Sequence, residues 1–265
     1  MSLLVDMFRK SVEKSKDYRM KVETETPVGY STGFLTFDFR NGTVAIGKTP
    51  DGQQYQYYSI GIADGSMVMI IGRSGCGKTT WTIQAAGNIV KPFPNAAIYH
   101  EDIEGGISNS RLFKLAKMTP EEAKDKYIHR NTGITCENFF QRIKMISDIK
   151  LANRSEFEYD TGLYDEFGNR LYKLQPTVVI LDSLALLMPE KFSDEEEMSG
   201  QMSTTATAKA NAKIFRTIIP LLKAANIILF VINHITQAVA ITPAQRKKAQ
   251  VSYLKVDESL PKRIA

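Results

Sequence analysis

Apolar residues cluster along this chain in short unbroken runs rather than long ones. Between Thr177 and Asp182 every residue is apolar, and in NIILFVINH at 226–234 so is every residue from Ile227 to Ile232, before Asn233 and His234. Such runs predict strands covered on both faces, as in the middle of a parallel sheet. A third run, Met67-Val68-Met69-Ile70-Ile71, leads into a glycine-rich stretch, GRSGCGKTT. TTWTIQAAGNIV then favours a helix, stopped by the prolines of KPFPN, and AAIYHE is a short strand that ends in acidic residues. Strand, loop, helix and strand in this order predict a parallel βαβ unit.

Helical spacing returns from about Thr119 to Lys126, from Glu137 to Asn153, and over TTATAKANAKIFRTIIPLLKAA at 204–225, where Pro220 predicts a kink or a break. Two segments alternate instead. Within 28–66, TVAIGK and QQYQYYSIGI flank the turn Thr49-Pro50-Asp51-Gly52 and predict a β-hairpin. FEYDTGLYDEFGNRLYKLQ predicts a second hairpin turning at Glu166-Phe167-Gly168-Asn169, polar enough for a surface insertion. Residues 3–20 read as a short amphipathic helix, so 1–27 form an N-terminal helical segment and 28–265 the core. Beyond His234 the chain reads as irregular, with VSYLKV at 251–256 as the one segment suited to a further strand. The whole predicts an α/β fold with a mostly parallel central sheet flanked by helices, plus β-hairpin insertions.

Composition narrows the class. The 265 residues are 43% hydrophobic and 24% charged, enough for one large core. No run approaches 18 apolar residues, and the amino terminus lacks the features of a secretory signal, which predicts a cytoplasmic protein without a membrane partner. The two cysteines, Cys76 and Cys136, stand apart and suggest neither a metal cluster nor a disulfide framework. A net charge of +5 is concentrated at the carboxyl end: from His234 onward six basic residues face Asp257 and Glu258, and Arg246-Lys247-Lys248 is the densest patch. PEKFSDEEE at 189–197 is the acidic counterpart.

GRSGCGKTT fits the spacing G-x-x-x-x-G-K-[ST], with Gly72, Gly77, Lys78 and Thr79 in the defining positions and Arg73, Ser74, Gly75, Cys76 and Thr80 completing the loop. Glycines let the backbone turn so that successive N–H groups face a polyphosphate over the positive end of the next helix. Lys78 would reach the β- and γ-phosphates and the Thr79 hydroxyl would bind Mg²⁺. Asp182, closing a buried strand at the carboxyl edge of the sheet, is the candidate metal anchor. HEDIEGG after the next strand offers Glu101, Asp102 and Glu104 as candidate bases for positioning a water, and the residues alone leave Glu101 and Glu104 open. His234, at the same edge of a third strand, could bond the γ-phosphate and report its loss.

Taken together, STGFLTFD, GRSGCGKTT, IYHEDIEGGIS, VVILDS and TATAKANAKIFRTIIPLLKAANIILFVINH resemble the RecA-type recombinase ATPases, most closely their phage branch typified by UvsX. The resemblance spans residues 31–234. It implies a RecA-like P-loop core and selects Glu104 as the catalytic carboxylate, two residues after the aspartate closing the second strand. It also implies that His234 is the γ-phosphate sensor, and that about 188–204 and 235–264 are DNA-binding loops. The first loop is acidic, so either Ser199, Gln201, Ser203 and backbone N–H groups would contact DNA there or the loop faces something else; in the second, Arg246, Lys247 and Lys248 would make the contact. ATP and Mg²⁺ would be the cofactors. Single-stranded and double-stranded DNA would be partners, with self-association into a helical filament or a ring. Members of the family continue past the second loop, so the chain is expected to lack its carboxyl-terminal strands. The acidic 189–197 segment and the length of both hairpins depart from the family. A replicative helicase or loader would share every nucleotide residue, and a non-catalytic nucleotide-gated module would need no acidic cluster at 101–104.

Overall fold

The computed structural model describes residues 27–190, 201–236 and 263–264. Five parallel strands form its centre: β5 (Met67–Gly72), β6 (Ala97–Asp102), β7 (Tyr127–Arg130), β10 (Thr177–Asp182) and β11 (Ile227–Thr236). They lie side by side in the order β5-β11-β10-β6-β7. The two-residue β12 (Arg263–Ile264) pairs antiparallel with the far end of β11, and two other two-residue strands, β1 (Gly29–Tyr30) and β4 (Ile62–Ala63), pair antiparallel with each other.

Every residue of β10 is buried, as its unbroken apolar pattern requires. Alternate side chains serve opposite layers. Val178, Ile180, Ile228, Phe230 and Ile232 pack with Ile83, Ala86, Ile89 and Val90 of helix α2 (Lys78–Val90). On the other face, Val179, Leu181, Leu229 and Val231 meet Phe139, Ile143 and Ile146 of α5 (Cys136–Ala152) and Ile218 and Leu222 of α7 (Gln201–Ala225). β5 is one of the sheet's two outer strands, and its Met67 and Met69 keep one side in solvent. Gly87 lets α2 come close to its neighbour, since a Cβ there would lie 2.3 Å from the carbonyl oxygen of Ala116.

Both predicted hairpins are present, as β2 (Thr43–Lys48) with β3 (Gln54–Ser59), and β8 (Glu158–Tyr164) with β9 (Arg170–Leu174). They touch each other: Lys48 N–H donates to the Asp165 carbonyl at 2.9 Å, and the Tyr55 hydroxyl accepts from Tyr164 N–H at 2.8 Å.

Three features differ from the sequence expectation. Leu35–Asn41 is helical (α1) inside the segment expected to be β, because buried Asp38 gathers Ser31 Oγ, Thr32 N–H and Gly33 N–H and bends the chain back on itself. Asn109–Leu115 and the single turn Arg154–Phe157 form additional helices, α3 and α6. β7 follows directly on α4 (Pro120–Lys126), which opens with a Thr119–Glu122 capping box. Of the kink or break expected at Pro220, the break is absent, since α7 runs through that residue. The helix expected at 3–20 and the strand considered at 251–256 lie outside the described residues. No helix of the described residues is long and apolar enough to cross a membrane.

Candidate functional site

All five parallel strands end on one edge, and the loop predicted to hold phosphate sits there, between β5 and α2. Gly75 and Gly77 have φ of 75° and 87°, in the left-handed region that only glycine enters at little cost. Gly72 has a different reason, since a Cβ on it would lie 2.7 Å from Cys76 Sγ. Arg73, Ser74 and Cys76 are exposed around the turn and Thr80 continues into the helix. The N–H groups of Ser74, Gly75 and Gly77 donate to no described residue. They stand over the positive end of a 13-residue helix, an arrangement suited to an anion.

Lys78 and Thr79 face inward from the first turn of that helix. The buried Lys78 ammonium donates to the carbonyls of Gly72 and Arg73 at 3.1 and 2.9 Å, and its Nζ lies 3.3 Å from His234 Nδ1. Thr79 Oγ1 donates to Asp182 Oδ2 at 2.6 Å. Asp182 is 2% exposed, and its Oδ1 has no hydrogen-bond partner among the described residues. Burial pushes the Asp182 carboxyl up to about 6, helped by the charges of Glu104 and Asp102 and opposed by the Thr79 hydrogen bond and by His234. An orphaned carboxylate oxygen beside a threonine hydroxyl is a donor set of the hard-oxygen type that Mg²⁺ accepts.

Asp102 is in register with Asp182 on the adjacent strand. Its Oδ1 accepts from Gly105 N–H at 2.8 Å, its Oδ2 lies 3.1 Å from His129 Nε2, and Ile103 N–H donates to the Asp182 carbonyl at 2.6 Å. These bonds fold residues 103–105 over the end of β10. Glu104 is thereby brought to His234, with Oε1 and Nε2 2.5 Å apart. Glu104, Asp182 and His234 each offer one ligand atom, all within 4.8 Å of one another. Glu101 goes elsewhere. Strand alternation turns it to the opposite face, where Arg142 Nη2 of α5 donates to its Oε2 at 2.9 Å. Burial raises the Glu101 carboxyl and Arg142 opposes the rise.

Lys78, Thr79, Asp182, Glu104 and His234 are therefore gathered at one place. Arg246, Lys247, Lys248 and Ser199 lie outside the described residues, and Gln201 is described only as the first residue of α7. Two contributors had no clear signal in the sequence. Asp102 stood among three acids with nothing to single it out as the residue that shapes the loop, and His129 lies within a four-residue strand too weak in pattern to predict. Compared with known proteins, the chain matches no family model and no curated protein. The residues thus rest on their own geometry: an α/β chain whose parallel sheet carries a glycine loop, a buried aspartate and a glutamate–histidine pair along its carboxyl edge.

Proposed function

We propose that this chain is an ATPase of the RecA type that works on DNA. The observation supporting it is the convergence of Lys78, the Thr79–Asp182 pair and the Glu104–His234 pair at one edge of the sheet. The glycine loop and the α2 N-terminus would hold the triphosphate, with Lys78 released from its two carbonyls to meet the β- and γ-phosphates. Thr79 and the orphaned Asp182 oxygen would hold Mg²⁺, which supplies charge neutralisation to the phosphates when bound. Glu104 would orient and deprotonate the attacking water. His234, bonded to Glu104 on one ring nitrogen and close to Lys78 on the other, would register whether the terminal phosphate is present.

The finer reading, a recombinase that coats single-stranded DNA as a filament and pairs it with a homologous duplex, draws on the resemblance over residues 31–234. The basic patch Arg246-Lys247-Lys248 is suited to strand phosphates. ATP binding would favour the DNA-holding state and hydrolysis its release. The test is ATP turnover with and without single-stranded DNA, alongside electron microscopy of the assemblies. DNA-stimulated turnover with filaments supports the recombinase, rings would favour a helicase or loader, and unchanged ATP affinity in Lys78→Ala would overturn the phosphate loop.

A further inference from the structure

The Glu104–Asp182–His234 group contains one element that a magnesium–nucleotide site does not require: an imidazole nitrogen beside two carboxylates. Magnesium takes oxygen ligands and keeps its waters, whereas a nitrogen donor favours zinc and the other borderline divalent ions. We propose that Glu104, Asp182 and His234 bind a zinc-class divalent cation in the nucleotide-free protein. The proposal goes beyond the nucleotide reading and does not need it.

Three observations carry it. The three ligand atoms lie within 4.8 Å of one another and come from three separate segments, the loop after β6, the end of β10 and the end of β11. On a tetrahedral ion with bonds of about 2.1 Å, neighbouring ligand atoms stand roughly 3.4 Å apart, so the group needs a rearrangement in which the Glu104–His234 pair, now 2.5 Å apart, opens to admit the ion and the wider separations, up to 4.8 Å, close. Glu104 can supply it, being 39% exposed at its side chain and followed by Gly105 and Gly106. Second, Asp182 Oδ1 is fully buried and unpartnered among the described residues, a costly condition that a cation would relieve. Third, the charges balance, because two carboxylates match one divalent ion and neutral His234 adds the nitrogen. Water would complete the coordination.

Lys78 sets the opposing term. With a cation on Nε2, Nδ1 of His234 must carry the ring proton, and it would face the Lys78 ammonium that now lies 3.3 Å away. Removing that ammonium should therefore tighten the site. An ion held here would also occupy Glu104 and Asp182, and so would block any hydrolysis that uses them.

The experiment is competition between the nucleotide-free full chain and a chromophoric zinc chelator, with zinc chloride as the probe. Expected are one zinc per chain, binding at least about tenfold weaker in Glu104→Ala and in His234→Ala, tighter binding in Lys78→Ala, and no change in Cys76→Ser. Glu104→Gln serves as a second, near-isosteric variant that should also lose affinity. Zinc binding that survives both His234→Ala and Glu104→Ala, or that disappears in Cys76→Ser, overturns the proposal. Binding of a fluorescent ATP analogue to the same variants separates the two readings, since zinc without ATP removes the ATPase, and ATP without zinc removes the metal site.

Discussion

Replacing Asp182 with asparagine should make the ligand-free protein more stable while destroying whatever the site does. The Asp182 carboxyl is held at about 6 instead of its ordinary 3.8, chiefly by burial, with Glu104 and Asp102 adding like charge. Between those two pH values the folded chain binds more protons than the unfolded one, so stability falls as pH rises from about 4 to 6 and stays reduced above it. Keeping this carboxylate charged at neutral pH therefore costs the folded state about 3 kcal/mol at most. Asparagine retains an oxygen to accept from Thr79 Oγ1 and removes the charge. Urea unfolding at pH 7.5 should show Asp182→Asn more stable by about 1–3 kcal/mol, with the difference closing towards pH 4. Adding Mg²⁺ and ATP should stabilise the wild type and not the variant. An asparagine variant that is equally stable or weaker at pH 7.5 would refute the reasoning, because the buried charge would then have been matched by something else.

Other substitutions divide the site from its scaffold. Glu104→Gln should keep ATP binding and slow turnover by about 10²-fold or more, whereas Glu101→Gln should spare chemistry and lower the urea midpoint through its buried pair with Arg142, a loss of about 3 kcal/mol; the reverse pattern would exchange their roles. Lys150, buried under the opposite edge of the sheet, donates to Gln175 O, Thr177 Oγ1 and Asn226 O, so Lys150→Met should cost about 3 kcal/mol by leaving three acceptors unmet. Burial pushes this amine down to about 7, so wild-type stability should rise relative to the methionine variant from pH 7 upward, by at most about 1.4 kcal/mol per pH unit; a pH-independent difference would contradict it. Replacing Arg246, Lys247 and Lys248 together by alanine should reduce the salt slope of single-strand binding by about 2, and an unchanged slope would place the DNA elsewhere.

What the sequence revealed follows from which interactions are local. β10 and β11 were legible because their central residues, Val178–Leu181 and Ile227–Ile232, are buried on both faces and must therefore be apolar without a break. The glycine loop was legible because its turns require glycine at 75 and 77 whatever surrounds them. α1 was not, since Phe34 to Phe39 alternates like a strand and becomes helical through the bonds that Asp38 collects from residues 31–33. Glu101 and Glu104 could not be separated because the difference lies in Arg142, about forty positions away in the chain, and in the strand's alternation relative to a loop whose bend is set by Asp102.

The order of the strands explains why a histidine comes to matter. β5, which leads into the loop, pairs with β11 and not with β10, so the strand carrying His234 is interposed between Lys78 and the acidic edge. Gly72 and His234 are opposite one another in that pairing. Asp182 ends level with Ile232, two residues short of His234, which leaves the histidine to project past it towards Glu104. Thr79, one residue after Lys78 on a helix that begins beneath the loop, reaches Asp182 by a separate route. The lysine and the glutamate are thus linked through one imidazole, while threonine and aspartate form an independent pair. Loss of His234 should accordingly uncouple Glu104 from Lys78 and leave the Thr79–Asp182 hydrogen bond in place.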